Sequence, residues 1–500
     1  MQVELLIKGF ISVLHWQTLL MIFLGVTGGI MIGSLPGLTA TMGVALLVPF
    51  TFGLPINQAM GMLLGIFSGA IYGGSISAIL IRTPGTPAAA ATLMDGYPLS
   101  VKGEAGRALS MSVFASFVGG FTGALIMTFL SPQISKVALK FGTPEYFSLA
   151  VFGLSIIISV SGNSVIKGII AGLFGLLVAT IGFDPISGFP RFTFGSMDLF
   201  EGPAFIPTLI GLFAFSEVFK GVETIIKQQK FENKINRFLP SLKDLKLSWR
   251  AIVKSSIIGT FIGSIPGAGS DIAAFVGYSE AKRTSKYPEK FGTGVIEGVA
   301  AAESANNACT GGAMIPMLSL GVPGDAVTAI LLGAFVIQGL QPGPLLYKDH
   351  MDVVYGVFAA MMLANVMMFF VGTLGGKLFA KVISIDRNIL LPVIFVLSIV
   401  GSYSMRNSMF DVWVALVFGV LGYFLQRYDF PVSPILLALI LGPMAESNLR
   451  RSLVISSGNP AILITRPISV LFLVLAVLSL VTSVLRQRRY SRNDGSGPSE

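Results

Sequence analysis

The chain has 500 residues, of which 53% are hydrophobic and only 12% are charged, and its mean hydropathy is +0.79. Soluble domains carry roughly 25% charged residues, so the composition excludes an ordinary soluble protein and indicates an all-α polytopic membrane protein. The formal charge is +9, but the basic residues lie in loops between apolar runs. The positive-inside bias explains that distribution better than nucleic-acid binding does, so we expect no nucleic-acid partner.

Cysteine and histidine are too rare to build a cross-linked or zinc-bound fold. The only cysteine is Cys309, and the only histidines are His15 and His350. No disulfide framework within the chain and no His/Cys zinc site can therefore be assembled. The N-terminus has no small-residue cleavage signal of the usual form, so we expect a retained first span or a surface helix there.

Apolar stretches follow one another along the chain and predict about 10–14 membrane crossings. Some stretches are long enough for a broken helix or two half-spans, and others are short. In the first half they fall near residues 18–50, 57–81, 108–131, 146–161, 164–183 and 204–219. In the second half they fall near residues 251–280, 293–320, 325–346, 353–376, 388–404, 408–426, 431–445 and 462–485.

One unusual motif occurs twice, 230 residues apart, inside apolar stretches. It is Gly-Ser-Leu-Pro-Gly at residues 33–37 and Gly-Ser-Ile-Pro-Gly at residues 263–267. Each copy is followed by a glycine pair (73–74 and 311–312) and by a further Pro-Gly (84–85 and 323–324). Pro-Gly breaks a helix, and broken backbone at membrane depth persists only where protein buries it or where it lines a cavity. Matching breaks in two halves predict a transporter's substrate site.

Loop charge predicts the domain organisation. We expect a first membrane repeat at 1–220, a basic cytoplasmic linker at 221–254, a second membrane repeat at 255–485 and a cytoplasmic tail at 486–500. In the second half, basic residues follow the first break. In the first half, they follow the second break instead, at Lys102 and Arg107. Basic loops that exchange positions between repeats indicate that the two repeats have inverted topology.

The breaks carry the groups that bind a small charged substrate. Half-helix N-termini suit a carboxylate, while unwound carbonyls with hydroxyl and amide oxygens suit Na⁺. We predict a site for an organic anion coupled to a cation, with Asp271 and Asp325 as candidates for a Na⁺ site because both follow a break. The predicted substrate-binding residues are Ser34, Pro36, Gly37, Thr39, Gly73, Gly74, Ser75, Thr83, Pro84, Gly85, Thr86, Ser264, Pro266, Gly267, Asn306, Asn307, Pro323 and Gly324.

Other residues in apolar surroundings receive structural interpretations. We expect Glu297 and Glu303 to lie on a more polar helix near the surface, and Glu217 and Glu446 to be structural groups at helix ends. Cys309 is interpreted as a small packing residue. For any one glycine or hydroxyl, close helix packing is the alternative to a binding role, whereas the paired constellation favours a site.

Three other function classes fit the sequence less well. An ATP-driven pump is disfavoured because the sequence has no G-x-x-x-x-G-K-[ST] phosphate-binding loop. An intramembrane aspartyl enzyme could use Asp271 and Asp325 as an acid/base pair, but an enzyme has no need of breaks repeated in both halves. A channel would show flux without saturation and would require no partner. We therefore predict a transporter, not an enzyme, with either of the last two as the alternative.

At these motifs the chain resembles the large membrane subunit of the tripartite tricarboxylate transporter family, the TctA-type protein. The resemblance covers almost the whole chain. Its most specific block is Thr-Pro-Gly-Thr-Pro at residues 83–87 ahead of Asp-Gly-Tyr-Pro-Leu at residues 95–99. The other resembling blocks are residues 33–40, 72–80, 263–267, 303–308, 320–324 and 441–446, with Arg450 and Arg451.

The resemblance implies a multi-pass secondary transporter of the bacterial inner membrane. It implies two partners, a periplasmic solute-binding protein and a small four-span membrane subunit. The implied substrates are carboxylates, citrate among them, and the implied driving force is a gradient of Na⁺ or H⁺, with no other cofactor. The sequence does not identify the carboxylate, because the periplasmic partner is expected to set that choice.

Overall fold

The structure is a computed structural model, and it describes residues 2–160, 164–223, 239–383, 385 and 387–493. It is almost entirely helical, which confirms the predicted all-α architecture. The helices of the first half are α1 (Gln2–Val13), α2 (Trp16–Ser34), α3 (Ala40–Leu47), α4 (Ile56–Ile81), α5 (Ala90–Val101), α6 (Ala105–Ala138), α7 (Thr143–Val160), α8 (Val165–Ala179), α9 (Phe205–Leu209) and α10 (Ser216–Glu223). Those of the second half are α11 (Leu242–Gly263), α12 (Gly269–Thr284), α13 (Ile296–Leu320), α14 (Ala326–Ile337), α15 (Pro344–Asp349), α16 (Met351–Val382), α17 (Arg387–Arg406), α18 (Met409–Arg427), α19 (Ser433–Ile455), α20 (Ile462–Thr465) and α21 (Pro467–Asn493).

Short irregular elements complete the described chain. A π-helical turn at Ile210–Phe215 joins α9 to α10. The strands β1 (Gly182–Phe183) and β2 (Pro190–Arg191) form a small antiparallel sheet between α8 and α9. Tight 3-10 turns lie at Val48–Thr51, Pro87–Ala89, Met197–Leu199 and Pro288–Lys290. Part of the predicted linker (224–238) and the end of the predicted tail (494–500) lie outside the described residues.

Eight helices among the described residues are long and apolar enough to cross a membrane, which agrees with the multi-pass prediction. They are Trp16–Ser34, Ile56–Ile81, Ala105–Ala138, Phe205–Glu223, Met351–Val382, Asn388–Arg406, Met409–Arg427 and Pro467–Leu485. The helices α11 and α13, of 22 and 25 residues, also have the length of a crossing but carry more polar residues. The predicted number of crossings stays a prediction.

The helices α2 and α4 run in the same direction with their backbones in contact. Gly25 of α2 lies against Met62, and Gly33 lies against Ala70, so the register rises together along both helices. A Cβ atom on Gly33 would lie 2.2 Å from the Ala70 carbonyl oxygen, so only glycine allows this approach. Because α2 and α4 are parallel, the chain must reverse between them, and α3 is the returning arm of a hairpin whose tip is the first break.

The second half repeats this hairpin. Gly259 of α11 lies against Ala305 of α13, and Gly263 lies against Cys309, so α11 and α13 are also parallel. Gly277 of α12 lies beside Ala305 as well, level with the middle of α11. The helix α12 therefore returns from the break at residues 264–268, as α3 returns from the break in the first half.

The helix α6 runs parallel to α13. Gly119 lies against Ser304 and Gly123 against Ala308, again with the register rising together. On the other side of the molecule, α16 runs parallel to α4 in the same way. A Cβ atom on Gly356 would lie 2.8 Å from the Asn57 side chain, and one on Gly372 would lie 2.8 Å from the Tyr72 ring. Each of the two central helices thus pairs with a long helix of the other half: α4 with α16, and α13 with α6.

The parallel helices α2, α4 and α16 run in the opposite direction to the parallel helices α6, α11 and α13. Gly372 of α16 approaches Val113 of α6, whereas Asn365 of α16 approaches Gly120 of α6, so the register of one helix falls as that of the other rises. The helices α6 and α16 are therefore antiparallel. It follows that α4 of the first half and α13 of the second half also run in opposite directions.

The helices divide into two groups by their packing. The core bundle consists of α1–α6 and α11–α16, and it contains all four breaks. The flanking group consists of α7–α10 and α17–α21; in it, α7 and α8 pack on α19, and α9 and α10 pack on α18. A small apolar cluster joins these two halves of the flanking group: Ala171, Val178, Leu212, Val414, Phe418 and Ile435.

Candidate functional site

A cavity of about 490 Å³ lies between the core bundle and the flanking group, and all four breaks reach it. Sequence positions that lie 230 residues apart therefore meet in space. The core bundle contributes Gly37, Thr39, Ala40, Thr41, Met42, Ile71, Thr86, Pro87, Ala88, Gly267, Gly269, Ser270, Asp271, Asp325, Ala326 and Val327. The flanking group and its connections contribute Phe213, Glu217, Gln426, Phe430, Pro431, Val432, Ser433 and Leu437.

The first break turns on Gly37 and ends in a hydroxyl cap. Gly37 has a φ of +93°, a conformation that residues with side chains rarely adopt. Thr39 then caps α3, because its Oγ1 accepts a hydrogen bond from the Met42 main-chain nitrogen at 3.2 Å. The first turn of α3 contains no acidic residue, so its positive dipole end faces the cavity without a counter-charge.

The second break folds back against α2 and α4. The Gly85 main-chain nitrogen donates to the Gly74 carbonyl oxygen at 3.2 Å, and a Cβ atom on Gly85 would lie 1.9 Å from the Gly33 carbonyl oxygen. Only glycine fits there. Thr86 follows and lines the cavity; it is buried, and its Oγ1 has no hydrogen-bond partner among the described residues. The Oγ1 atom itself is enclosed beside Gly74 of α4, since a Cβ atom on Gly74 would lie 2.2 Å from it, so a ligand in the cavity would reach this hydroxyl only if the Thr86 side chain turned.

The two breaks of the second half are bonded to each other. Gly267 has a φ of +85°, and its main-chain nitrogen donates to the Gly324 carbonyl oxygen at 2.6 Å. A Cβ atom on Gly324 would lie 2.6 Å from the Ala313 Cα, so glycine is required at that approach to α13. Pro266 and Pro323 are buried beside these glycines and interrupt the helices without lining the cavity.

Two carboxylates occupy the helix N-termini of the second half. Asp325 caps α14: its Oδ1 accepts from the Thr328 main-chain nitrogen at 2.7 Å, and the Asp325 nitrogen donates to Thr328 Oγ1 at 2.8 Å. Asp271 lies in the first turn of α12. Both aspartates line the cavity. Their charges offset the positive ends of α12 and α14.

The cavity is thus polarised between the two halves. Thr41 and Asp271 each stand five residues after the proline of the first break of their half, and Thr86 and Asp325 each stand two residues after the proline of the second break. At both pairs the first half has a hydroxyl where the second half has a carboxylate. Helix N-termini with hydroxyls attract an anion, and a pair of carboxylates attracts a cation. The described residues contain no group of three or more His, Cys, Asp or Glu side chains that could hold a metal ion.

Six of the predicted site residues line the cavity: Gly37, Thr39, Thr86, Gly267, Asp271 and Asp325. Ser34 and Ser264 do not, because each hydroxyl donates to a carbonyl three residues earlier, Met31 at 2.8 Å and Phe261 at 2.7 Å. The remaining predicted residues support the breaks or the helix packing around them and are absent from the lining: Pro36, Gly73, Gly74, Ser75, Thr83, Pro84, Gly85, Pro266, Asn306, Asn307, Pro323 and Gly324.

The two asparagines of α13 lie behind the cavity wall. Asn306 is fully buried, and its Nδ2 donates to the carbonyl oxygen of Ala88, a lining residue, at 3.4 Å. Asn307 donates to Asn306 Oδ1 at 2.7 Å, while its own Oδ1 has no partner among the described residues. Asn306 therefore supports the wall without reaching the cavity.

Sequence reasoning did not predict the residues that the flanking group brings to the cavity. The sequence around Gln426 and Phe430 has no feature that indicates a binding site. Gln426 reaches the cavity because α18 packs beside α10, and Phe430 lies in the connection between α18 and α19. Glu217 stood out as an acidic residue in an apolar run, but the interpretation as a structural helix-end group is incomplete, since Glu217 lines the cavity. Glu446 forms a structural contact, since it accepts from Arg191 of β2 at 2.6 Å, but it lies inside α19 and not at a helix end as predicted.

The expectation that Glu303 lies near the surface is wrong. Its side chain is completely buried in the middle of α13, which α4, α5, α6, α11 and α12 surround. The polar residues of α13 contact polar residues of those neighbours instead of water: Glu303 accepts from Ser116 of α6 at 2.7 Å and from Thr92 of α5. Glu297, in the first turn of the same helix, is only half-buried, as expected for a residue near the surface.

Comparisons with known proteins find two similar chains from Agrobacterium vitis. An uncharacterized 52.8 kDa protein of the TAR-I ttuC' 3' region of Agrobacterium vitis is 37% identical over 485 residues, which is 97% of each chain. A second Agrobacterium vitis protein, of the TAR-II ttuC' 3' region, is 37% identical over 235 residues, covering 47% of this chain and 97% of its own length.

Among solved structures, two mutants of a manganese transporter from Eremococcus coleocola align with 94% of this chain and 95% of theirs. The identity is 12% and the TM-score is 0.15, which is too low to indicate a shared fold. The family comparison is decisive, because the model of the tripartite tricarboxylate transporter TctA family matches residues 19–437. The chain belongs to the tripartite tricarboxylate transporter TctA family.

Proposed function

We propose that this chain is the large transmembrane subunit of a secondary, ion-gradient-driven tripartite transporter of a bacterial inner membrane. It imports tricarboxylates or related carboxylates that a periplasmic solute-binding protein delivers, and it works with a small four-span membrane subunit. The observation that carries the proposal is the cavity at which all four helix breaks meet, in a chain of the TctA family. Its volume of about 490 Å³ lies within the range of small-molecule sites.

The substrate carboxylates bind on the first-half side of the cavity. The N-terminus of α3, whose first residues Ala40 and Thr41 line the cavity, offers main-chain N–H groups there, and the neighbouring polar groups are the neutral hydroxyls of Thr39, Thr41 and Thr86. Hydroxyl and main-chain N–H donors make charge-assisted hydrogen bonds to a carboxylate. The second-half side repels the same anion, because Asp271 and Asp325 face the cavity.

The coupling cation binds on the second-half side. A di- or tricarboxylate that enters the cavity comes close to two aspartates, and like charges in a site with little water repel strongly. A cation held by Asp271 and Asp325, with the carbonyl oxygens of the unwound breaks, offsets that repulsion. Substrate binding and cation binding therefore favour each other, which is the thermodynamic requirement for symport.

The core bundle moves against the flanking group during transport. Both hairpins and all four breaks belong to the core bundle, and the opposite wall of the cavity belongs to the flanking group. Movement of one group past the other exposes the same site alternately to the two sides of the membrane. The opposite directions of α4 and α13 support two inverted repeats, at 1–220 and 255–485, with the basic linker 221–254 and the tail 486–500 in the cytoplasm.

Uptake into proteoliposomes tests the function. The chain is reconstituted with its small subunit, and labelled citrate is supplied with or without the binding protein and an inward Na⁺ gradient. We expect saturable uptake that requires both the binding protein and an ion gradient. Flux without saturation and without the binding protein would instead indicate a channel, and chemical conversion of the substrate without its translocation would indicate an enzyme.

A further inference from the structure

Glu303 is a completely buried carboxylate of the core bundle that forms no ion pair with a basic side chain of the described residues. It is 0% exposed, Oε2 accepts from the Ser116 hydroxyl at 2.7 Å, and Oε1 accepts from the Thr92 hydroxyl. Among the described residues, no Lys, Arg or His forms a hydrogen bond or an ion pair with it. Burying a charged group without a partner of opposite charge is costly, so such groups in proteins exchange a proton or hold a cation.

The packing around Glu303 has room for a proton and not for a metal ion. The carboxylate oxygens lie at hydrogen-bonding distance from the two hydroxyls, whereas a bound metal ion would separate its oxygen ligands from one another. The helices α6 and α13 are in backbone contact at this level, since a Cβ atom on Gly119 would lie 2.2 Å from the Ser304 carbonyl oxygen. Glu303 does not line the cavity, so no open volume adjoins it there.

A short hydrogen-bonded path joins Glu303 to the cavity wall. Asn306 Nδ2 lies 3.5 Å from Glu303 Oε1 and 3.4 Å from the carbonyl oxygen of Ala88. Thr92, which donates to Glu303, follows Ala88 by four residues on the same segment as Thr86. The charge on Glu303 therefore acts on the segment that presents Thr86 and Ala88 to the substrate.

We propose that Glu303 is a proton-binding site of the transport cycle, which takes up a proton when carboxylate occupies the cavity and releases it when the carboxylate leaves. This inference rests on the proposed function, because it assigns the site of a coupling proton in that same transporter. The titratable groups in the nearest turns of the surrounding elements are Tyr72 on α4, Asp95 on α5 and Tyr278 on α12, with Glu297 and Cys309 on α13 itself. None of these is a cation; on α11 the basic side chain nearest in register is Lys254, which pairs with Glu280 of α12, and Asp95 accepts from the Tyr278 hydroxyl at 2.9 Å.

The test compares Glu303→Gln with Glu297→Gln, a half-buried carboxyl of the same helix. Each variant is reconstituted with both partners at equal Na⁺ on the two sides, and labelled citrate is followed in two assays. One assay is net uptake driven by a pH gradient, and the other is counterflow exchange without a gradient. We expect Glu303→Gln to lose the pH-driven uptake and to keep counterflow, because glutamine preserves the volume and can still bond both hydroxyls, accepting from one and donating to the other, but has no exchangeable proton charge. Glu297→Gln should keep both.

If uptake driven by a pH gradient survives in Glu303→Gln, the proton site is overturned and the transporter function stands. The same conclusion holds if the wild type shows counterflow but no uptake driven by a pH gradient. Absence of both activities from the wild type overturns the transporter function itself. If Glu303→Gln does not fold, the pH dependence of net uptake is measured in Glu303→Asp instead. A shifted pH dependence of net uptake in that variant supports the proposal, and an unchanged pH profile contradicts it.

Discussion

Thr86 and Asp325 stand at matching positions after the second break of each half, yet one presents a hydroxyl and the other a carboxylate. The same exchange separates Thr41 from Asp271. Because helix N-termini favour anions, the two aspartates neutralise their own helices, and the helices that follow the threonines remain available to a ligand. Under the proposed function, single residues at four equivalent positions would thus decide which side of the cavity takes the anion and which takes the cation.

Thr86→Val should weaken substrate binding without weakening the fold. Valine has the shape of threonine, and the Thr86 hydroxyl has no partner among the described residues to lose. A hydrogen bond to a charged group contributes about 1.5–3 kcal/mol, so we expect the KM for citrate uptake to rise about tenfold or more. The control is Thr128→Val on α6, whose hydroxyl donates to the Ala124 carbonyl oxygen at 2.8 Å away from the cavity. An equal KM in both variants would contradict the contact.

Asp325→Asn and Asp271→Asn should alter the dependence of uptake on Na⁺. Asparagine caps a helix as well as aspartate does, so the cap of α14 should survive while the negative charge is lost. We expect each variant to need a higher Na⁺ concentration for half-maximal uptake, measured as initial rate against external Na⁺ at fixed pH. If the wild type ignores Na⁺ and neither variant changes its ion dependence, the cation role of the two aspartates is wrong.

At the scale of secondary-structure elements, glycine sets how closely the helices of the core bundle approach. On α2, Gly25, Gly29 and Gly33 lie against the backbone of α4, and on α11 Gly259 and Gly263 lie against α13. Close backbone contact keeps each hairpin tip at a fixed depth beside its partner helix. The position of the breaks therefore depends on this packing as much as on the prolines.

Gly33→Ala should destabilise the fold, and Gly28→Ala on the same helix should not. A Cβ atom at Gly33 would lie 2.2 Å from the Ala70 carbonyl oxygen, whereas one at Gly28 would have no atom within 4 Å. Forcing a methyl group into a well-packed contact costs about 1–3 kcal/mol, while alanine is the better helix former at an open position. Thermal unfolding of the purified variants in detergent measures the difference, and equal melting temperatures would contradict the packing.

The sequence predicted the elements whose cause is local and missed those that depend on distant packing. Pro36, Gly37, Pro266 and Gly267 marked the breaks, because proline and glycine act on their own backbone. Glu303 was misplaced, because its burial depends on five surrounding helices and not on its neighbours in sequence. Gln426 and Phe430 were missed for the same reason, since nothing near them in the chain indicates a cavity.

At the scale of the whole molecule, the cavity lies where two groups of helices meet. The core bundle brings the four breaks and the flanking group brings the opposite wall, so movement of one group past the other would change which side of the membrane the cavity faces. Each subset of the flanking group combines helices from both halves of the chain, as when α19 packs on α7 and α8. The flanking group is thereby suited to remain in place while the core bundle moves.

A disulfide between the two groups should stop transport reversibly. A Cβ atom on Gly401 of α17 would lie 3.6 Å from the Pro49 Cβ in the core bundle, which suits a disulfide between Pro49→Cys and Gly401→Cys. We expect oxidation to abolish citrate uptake and reduction to restore it. The control pair joins Gly442→Cys to Ala179→Cys, two positions within the flanking group that are 3.1 Å apart by the same measure. Full uptake with the first pair oxidised would show that the groups need not move.

The central claim is that the cavity between the four breaks holds the carboxylate, and protection of a cavity residue from a thiol reagent tests it most directly. Thr41→Cys places a reactive thiol in the lining, Thr465→Cys places one at an exposed position on α20, and the native Cys309 is buried. With the complete transporter in membranes, we expect citrate and its binding protein to slow labelling of Thr41→Cys several-fold and to leave Thr465→Cys unchanged. Labelling of Thr41→Cys at the same rate with and without citrate, in a preparation that takes up citrate, would contradict the account.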